Sequence, residues 1–384
     1  MSNPNEVAFI SLVKKAITGS DTACIPDDAD FARIYSIAKK HDLAHLIYKA
    51  ADNKDLINDE KTAELLEKSY SYALFRQAKK EAAIDEIRSI LDSNRIPYIL
   101  LKGSALMRLY PEAWMRTSSD IDVLVMGKDF KRTISAFSGS GMKRMRQSEH
   151  DVSFDSKYRY HIELHNILIE HYRLPKASEV LKQVWDHAVP SANGGYEYDM
   201  TDEMLYFYHI AHMVKHFETG GCGVRMFIDL WLLDNKVEHD RANRAELLEK
   251  GNLLTFAEKT SRLAESWFSG SGKESGTEFL ERFILGGGVF GTTEQRVYVQ
   301  KKRADNRFKY YLLRIFPPYK KLCSAYPVLI KAPVLLPFAW IARWFKMLAP
   351  REREKALCEI YFERNADEEV ENNIAGMMKE LGLW

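Results

Sequence analysis

The chain has 384 residues, 46% of them hydrophobic, which predicts two or three domains with a real core and excludes a disordered protein. The formal net charge of +1 gives no general case for a nucleic acid partner, because long-range attraction to phosphate backbones needs a basic surface. Its four cysteines are scattered without CxxC spacing, so they predict neither a zinc site nor a disulfide framework and fit a reducing, cytoplasmic location.

Residues 1–94 are predicted to form a helical region. Residues 1–20 are polar with isolated apolar residues at helical spacing, which is typical of a first helix and not of a secretory signal. From residue 30 to residue 94 the apolar pattern keeps a helical period, and no proline lies between Pro26 and Pro97.

Residues 95–175 have the pattern of short strands and glycine-containing turns that is typical of an α/β core. The first predicted strand is short and buried and spans residues 96–101. Lys102, Gly103 and Ser104 follow this strand and precede a helix-like run at 105–110. A strand that delivers glycine and serine to a helix start can bind an anion, because free backbone N–H groups and the positive end of the helix point outward there. Phosphate is the natural ligand, and a simple tight turn is the alternative.

Two aspartates, Asp120 and Asp122, lie one residue apart in the next apolar run. Because side chains alternate across a strand, both carboxylates are predicted to project from one face, while Ile121 and Val123 project from the other. Unit charges about 4 Å apart repel by roughly 4 kcal/mol near a protein surface. Such a pair must share a proton or hold a cation, and a divalent metal resolves the repulsion best.

A third acid is predicted on a strand within residues 158–168. The alternation there directs the apolar residues to the core and leaves His161, Glu163 and His165 on the opposite face. Glu163 is the candidate third carboxylate, and an ordinary exposed strand glutamate is the alternative. The two histidines are expected to be solvent-facing or to support the ligands, since Mg²⁺ prefers oxygen donors.

Residues 176–384 are predicted to be mostly helical. On a helix beginning near Thr201, three histidines share one face at three- and four-residue spacing: His209, His212 and His216. They are expected to line a cleft or to make buried hydrogen bonds, with zinc binding as the less favoured alternative because the motif lacks the glutamate of a metalloprotease helix. Arg225 and Asp229, four residues apart, are most simply a helix salt bridge.

Residues 326–345 are apolar and aromatic but contain three prolines and two basic residues. A continuous transmembrane span is therefore not expected, since about 18 to 20 mostly uncharged residues are needed. The segment is expected to pack over the protein's own core, and peripheral contact with a membrane surface or a partner is the alternative.

The motifs of the core resemble a known superfamily. The pair Gly103-Ser104, followed by Asp120-Ile121-Asp122 and a later strand acid, is similar to the signature of the DNA polymerase beta-like nucleotidyltransferases. More narrowly, the pattern KG…LY…R…SDIDVLV resembles a bacterial family usually called uncharacterised nucleotidyltransferases. The resemblance covers roughly a fifth of the chain, residues 95–168, with weaker likeness at 205–233. The spacing between Gly-Ser and the first aspartate is longer than in the minimal pattern.

The resemblance implies an α+β fold, in which a small mixed β-sheet forms the nucleotidyltransferase core between N-terminal helices and a mostly helical C-terminal region. It also implies a two-metal transfer of NMP from a nucleoside triphosphate, ATP among the candidates, to an acceptor hydroxyl. Asp120 and Asp122 would hold the nucleotide-bound Mg²⁺, and with Glu163 a second ion, Mn²⁺ being an alternative metal.

The remaining site predictions also follow from the resemblance. Gly103 and Ser104 would cradle the β and γ phosphates, and Lys102 and Arg116 would balance the charge of the pyrophosphate, although each could equally be a solvated basic residue. Four residues of the C-terminal half become substrate-pocket candidates: His212, His216, Arg225 and Asp229.

The sequence leaves the acceptor open, and a small molecule, a protein and an RNA are all compatible with it. The base of the nucleotide and the oligomeric state are open as well. Two other functions remain as alternatives. The first is a catalytically inactive nucleotide-binding or antitoxin-like module, and the second is a membrane- or partner-associated interaction protein that uses residues 326–345.

Overall fold

The computed structural model describes residues 3–51, 56–57, 59–147, 151–270, 276–303, 307–323, 325–326, 328–347, 349–365 and 367–384. Within these residues, four helices precede the first strand: α1 (Pro4–Thr18), α2 (Phe31–Lys40), α3 (Ala44–Ala50) and α4 (Glu60–Ser93). The Asn3 side chain accepts the Asn5 amide at the start of α1, and Asp59 accepts the Thr62 amide at the start of α4. The predicted N-terminal helices are confirmed.

The described residues form one mixed sheet of seven strands, as the α+β prediction required. The strands are β1 (Tyr98–Leu100), β2 (Asp120–Val125), β3 (Lys143–Gln147), β4 (Asp151–Asp155), β5 (His161–His165), β6 (Ala188–Pro190) and β7 (Glu197–Met200). Their spatial order is β3-β4-β5-β2-β1-β7-β6. The pairs β2/β5 and β1/β7 are parallel, and the other neighbours are antiparallel.

Two short connections of this sheet are helical. After β1 the chain enters α5 (Gly103–Leu106), which is shorter than the predicted run at 105–110 because a 3₁₀ turn (Met107–Leu109) replaces its continuation. After β2 it enters α6 (Phe130–Gly139). One face of the sheet packs against α6 and the C-terminal half of α4, with Val123 and Leu164 among its buried residues.

Helices dominate the rest of the chain, which confirms the predicted helical C-terminal region. They are α7 (Pro175–Leu181), α8 (Asp202–Phe217), α9 (Val224–Asn235), α10 (Arg241–Gly251), α11 (Leu254–Phe268), α12 (Glu278–Gly286), α13 (Thr293–Arg303), α14 (Arg307–Ile315), α15 (Tyr319–Cys323), α16 (Val328–Lys331), α17 (Leu336–Lys346), α18 (Pro350–Arg364) and α19 (Glu368–Glu380). Strands β6 and β7 lie between α7 and α8, so the sheet continues beyond residue 175.

The larger hydrophobic core covers the other face of the sheet. It joins residues of the first helices, such as Phe9 and Leu46, to residues of α8, α9 and α11, such as Phe207, Phe227 and Phe256. Helices from both halves of the chain therefore enclose the sheet face that carries the acidic residues.

The apolar segment at 326–345 is divided between α16, a 3₁₀ turn (Pro333–Leu335) and α17. Pro327 lies outside the described residues. In the described parts of the chain, no helix combines the length and the apolar character needed to cross a membrane.

Candidate active site

The acidic residues of the core meet on two adjacent strands. Because β2 and β5 run parallel in register, Asp122 lies opposite Glu163 and Asp120 lies opposite His161. Side chains alternate across the strands, so the three carboxylates project from the same face of the sheet. Ile121 and its neighbours on the other face are buried in the smaller core.

An ion pair occupies the centre of this acidic face. The Lys102 ammonium contacts Asp122 Oδ1, and His165 Nε2 donates to the same oxygen at 2.9 Å. Burial by itself would raise the pKa of Asp122, but the Lys102 charge and the His165 hydrogen bond outweigh it and hold this pKa well below its usual range. Asp122 is therefore an ionised, buried carboxylate.

Three side chains of this face could hold a metal ion. The ligand atoms of Asp122, Glu163 and His165 lie within 4.8 Å of one another, and His165 Nε2 is 3.5 Å from Glu163 Oε2. Two carboxylates and an imidazole suit a divalent cation, and oxygen-rich sets favour Mg²⁺ or Mn²⁺. The group includes His165, which the sequence had assigned a supporting role, and it does not include Asp120.

Asp120 lies at the edge of the same face. Burial raises the pKa of Asp120, and repulsion from Asp122 and Glu163 raises it further, while Lys102 lowers it. The hydrogen bond from His165 lowers the pKa of Glu163 against the effect of burial. The carboxylates thus repel one another as the sequence predicted, and one ammonium group balances part of their charge.

Gly103 packs more closely against the neighbouring segment of the chain than a residue with a side chain could. A Cβ atom at Gly103 would lie 3.0 Å from the Ser118 Cβ and 3.3 Å from an Arg116 nitrogen. The amide of Ser104 donates to the Leu101 carbonyl at 3.1 Å. This hydrogen bond would have to break before the amide could bind phosphate. The Ser104 hydroxyl oxygen is buried, and no described residue offers it a hydrogen bond.

A buried lysine that the sequence did not indicate stabilises the turn at Gly103. Lys80, on α4, is almost fully buried, and its Nζ donates to the Gly103 carbonyl at 3.0 Å. Burial lowers the pKa of Lys80 to about 7, and the nearby Arg116 acts in the same direction. Its position in a lysine-rich helix gave no signal of this role.

A cleft of about 280 Å³ separates the acidic face from helices α8 and α9. It brings together eight of the residues predicted from the sequence: Lys102, Gly103, Arg116, Asp120, His212, His216, Arg225 and Asp229. Phe290, which follows α12, also lines it.

The predicted salt bridge between Arg225 and Asp229 was wrong, because each residue is paired across the cleft wall instead. Asp229 accepts hydrogen bonds from Arg116 Nε and Nη2, both at 2.7 Å, and from the Tyr110 hydroxyl at 2.7 Å. Arg225 Nη1 donates to Asp42 Oδ2 at 3.0 Å. Asp229 thus binds the guanidinium group of Arg116, which was expected to contact pyrophosphate.

All three histidines of α8 contribute to the lining of the cleft, and one of them also makes a buried hydrogen bond. His209 Nε2 is 2.9 Å from the Met226 carbonyl oxygen, within the buried interior. His212 and His216 face the cleft with their Nε2 atoms 3.3 Å apart. Burial lowers the pKa of both, that of His216 to about 4, so the two rings are neutral near pH 7. Neither ring belongs to the candidate metal group found among the described residues.

A smaller cavity of about 200 Å³ opens on the Glu163 side of the acidic face. It shares four lining residues with the larger cleft: Lys102, Tyr208, His212 and Lys215. Tyr208 and Lys215 were missed from the sequence, although their spacing from His212 places them on the same face of α8. Asp151 also lines this cavity, and only the antiparallel pairing of β4 with β5 brings it there.

The comparisons with known proteins yield one match. The profile of a protein family described as uncharacterised nucleotidyltransferase matches residues 27–269. This range contains β2, β5, α8 and α9, and it ends before α12. No curated protein and no solved structure matches the chain.

Proposed function

The chain belongs to the uncharacterised nucleotidyltransferase family, and we propose that it transfers NMP from a nucleoside triphosphate to an acceptor hydroxyl in a metal-dependent reaction. In this reaction the acceptor oxygen bonds to the α phosphorus, and the bond from that phosphorus to the bridging oxygen breaks. Pyrophosphate leaves, and the hydroxyl proton passes to a base. The observation that carries the proposal is the alignment of Asp120, Asp122 and Glu163 on one sheet face beside a cation-lined cleft.

The donor set of this face fits divalent cations. Asp120 and Asp122 would hold the nucleotide-associated ion, and Asp122 with Glu163 a second ion, with His165 as an additional ligand. Bound Mg²⁺ or Mn²⁺ would neutralise phosphate charge and make the acceptor hydroxyl more acidic. Lys102 balances the charge of Asp122 when no ion is bound.

The larger cleft suits the triphosphate. Lys102, Lys215 and Arg225 bring positive charge to it, and Gly103 allows the chain to approach a phosphate closely. Ser104 and Arg116, the other predicted phosphate-binding residues, support the walls around this turn. A nucleobase would fit beside α8 in this cleft.

Aromatic and neutral groups line this part of the cleft. His216 and Phe290 stack with ring centroids 5.5 Å apart, and Tyr208 lies beside His212. Uncharged rings of this kind can stack on a base without repelling or attracting its phosphates. The smaller cavity on the Glu163 side is the proposed approach of the acceptor, whose class remains a small molecule, a protein or an RNA.

The experiment that tests this function is a calorimetric titration with each of the four nucleoside triphosphates in the presence of Mg²⁺. The variant carrying Asp120→Asn and Asp122→Asn is expected to lose Mg²⁺-dependent binding while keeping its circular dichroism spectrum. Asp85→Asn, which changes an exposed aspartate on α4, is the matched control. Unchanged nucleotide affinity in the double variant would refute the proposal.

The ion pair between Lys102 and Asp122 favours a second candidate, a nucleotide-binding module without catalysis. An ammonium group that permanently neutralises Asp122 would exclude the ion that transfer needs. Covalent labelling of an acceptor in a cell extract by an α-labelled triphosphate separates the two functions. Labelling that depends on Asp122 supports transfer, and binding without labelling supports the module.

A further inference from the structure

Residues 307–349 differ in charge from the rest of the chain and lie outside the range matched by the family. This segment contains eight of the 55 basic residues and none of the 54 acidic residues. The remainder of the chain is consequently net negative. Arg314 forms an ion pair with Glu359 of α18, whereas Lys331 and Lys346 are exposed and add positive charge to the surface of a protein whose overall charge is close to zero.

Helix α17 exposes an apolar stripe. Phe338, Ile341 and Phe345 recur at helical spacing, and the two phenylalanines are 67% and 69% exposed. Ala339, on the opposite side, is buried. A surface helix of a protein surrounded only by water ordinarily turns such a stripe toward the core. Helix α17 instead turns its stripe toward the solvent.

Helix α14 repeats the same arrangement. Phe308, Tyr311, Leu312 and Ile315 follow the spacing i, i+3, i+4, i+7, and all four are exposed, Phe308 to 75%. Four apolar residues on one helical stripe form a continuous strip and are not isolated surface residues.

Ring contacts and hydrogen bonds fix these two helices against each other. The Phe316 ring contacts the rings of Trp340 and Trp344, with centroids 5.1 and 5.4 Å apart. Trp344 Nε1 donates to the Ile315 carbonyl at 3.0 Å, and Arg343 Nη1 donates to the Arg314 carbonyl at 3.0 Å. The exposed stripes therefore belong to a packed arrangement and do not result from unpaired helices.

The occupant of this surface must be apolar where it meets the stripes and anionic around them. A dimer that joined this surface to itself would bring the same positive charges against each other, which disfavours that form of self-association. An anionic phospholipid bilayer supplies both properties, since acyl chains accept the apolar side chains and headgroups attract nearby basic residues. Lys331 and Lys346 are exposed at the C-terminal ends of α16 and α17 and are the basic residues that would contact those headgroups.

We propose that residues 307–349 bind the surface of an anionic membrane through the apolar stripes of α14 and α17. The helices would lie in the interface without crossing the bilayer. The chain would be attached reversibly, because each stripe inserts only a few side chains and the remaining attraction is electrostatic. This proposal is independent of the transfer reaction.

Flotation of the full-length protein with lipid vesicles tests the proposal. The protein is expected to float with vesicles of phosphatidylcholine and phosphatidylglycerol in a 3:1 ratio, at least tenfold more than with phosphatidylcholine alone. Raising the salt concentration is expected to reduce this fraction, because it screens the basic residues from the headgroups.

Two variants test the apolar and the basic components. Phe338→Ser with Phe345→Ser, and separately Lys331→Gln with Lys346→Gln, are each expected to reduce flotation at least fivefold. All four residues are exposed, so the fold is expected to persist. Tyr72→Ser with Phe75→Ser is the control, since both residues are 59% exposed on α4, far along the chain from the segment.

Three outcomes would overturn the proposal. The wild-type protein could fail to float with anionic vesicles, or it could float equally with neutral ones. Light scattering could also reveal a dimer that the Phe338→Ser, Phe345→Ser variant abolishes, which would assign the surface to a second copy of the chain.

Discussion

Lys102 has a different partner from the one the sequence suggested. It was expected to meet phosphate, and it instead contacts Asp122. The sequence identified both residues but not their pairing, because their contact depends on how the chain turns after β1. Lys102 adopts a positive φ of 48° at this turn, a conformation that nothing in the residue type predicts.

Lys80 provides a prediction about pH. Its pKa falls from the ordinary 10.5 to about 7 in the folded protein because it is buried. Between these values the unfolded chain binds more protons than the folded one, so the Lys80 contribution to the free energy of unfolding rises with pH over that window. Lys80→Met removes the contribution. Urea unfolding at pH 6 and pH 9 is expected to show a smaller gain in stability for the variant than for the wild type.

The control for this experiment is Lys79→Met, which changes the adjacent lysine of α4, whose ammonium group lies over the Phe75 ring. Its pH profile is expected to parallel that of the wild type. A Lys80→Met profile that also runs parallel would show that Lys80 is not buried as a titrating amine.

Among the elements, helix α9 is held against the core by the buried ion pair between Arg116 and Asp229. The same contact fixes one wall of the cleft. Asp229→Asn leaves the guanidinium group buried without a counter-charge, which is expected to cost about 3 to 5 kcal/mol of the free energy of unfolding. Asp42→Asn breaks the more exposed pair with Arg225, where about 1 kcal/mol or less is expected. Denaturant titration compares the two, and equal losses would contradict this assignment.

The turn into α5 provides the next prediction. Gly103→Ala places a methyl group 3.0 Å from the Ser118 Cβ and is expected to push the turn out of position. Triphosphate affinity should therefore fall at least tenfold, measured by calorimetry with Mg²⁺ present. Gly139→Ala at the end of α6, where no atom of the described residues lies within 4 Å of the added atom, is expected to bind as the wild type does. Equal affinity in both variants would refute a role for Gly103.

The strands that carry the acids could be predicted because their residues alternate regularly. The hairpin of β6 and β7 could not, since its residues include Pro190 and lack a clear apolar alternation. Its stability depends on distant partners: Glu197 is buried and accepts hydrogen bonds from Arg88 Nε at 2.7 Å and from the Tyr98 hydroxyl at 3.2 Å. Contacts of this kind, about 100 positions apart in the chain, leave no local pattern.

For the whole molecule, the predicted boundaries of residues 1–94, 95–175 and 176–384 mark changes in the pattern of apolar residues, glycines and prolines along the sequence. The larger core nonetheless draws residues from all three segments, among them Phe9, Leu101 and Phe227. The sequence predicted the acidic strands and the histidine face of α8 separately. It could not predict that one core would bring them to opposite walls of the same cleft, because that arrangement depends on packing between distant segments.

The most direct test of the metal-dependent site is the number of Mn²⁺ ions bound in the presence of a non-hydrolysable nucleoside triphosphate, counted by electron paramagnetic resonance. We expect two ions per wild-type chain, one in Glu163→Gln and two in the control His161→Gln. Asp122→Asn is expected to bind neither ion with comparable affinity, because both need this carboxylate. The absence of saturable Mn²⁺ binding by the wild type, or an unchanged number of ions in Asp122→Asn, would contradict the assignment of Asp120, Asp122 and Glu163 as the centre of the reaction.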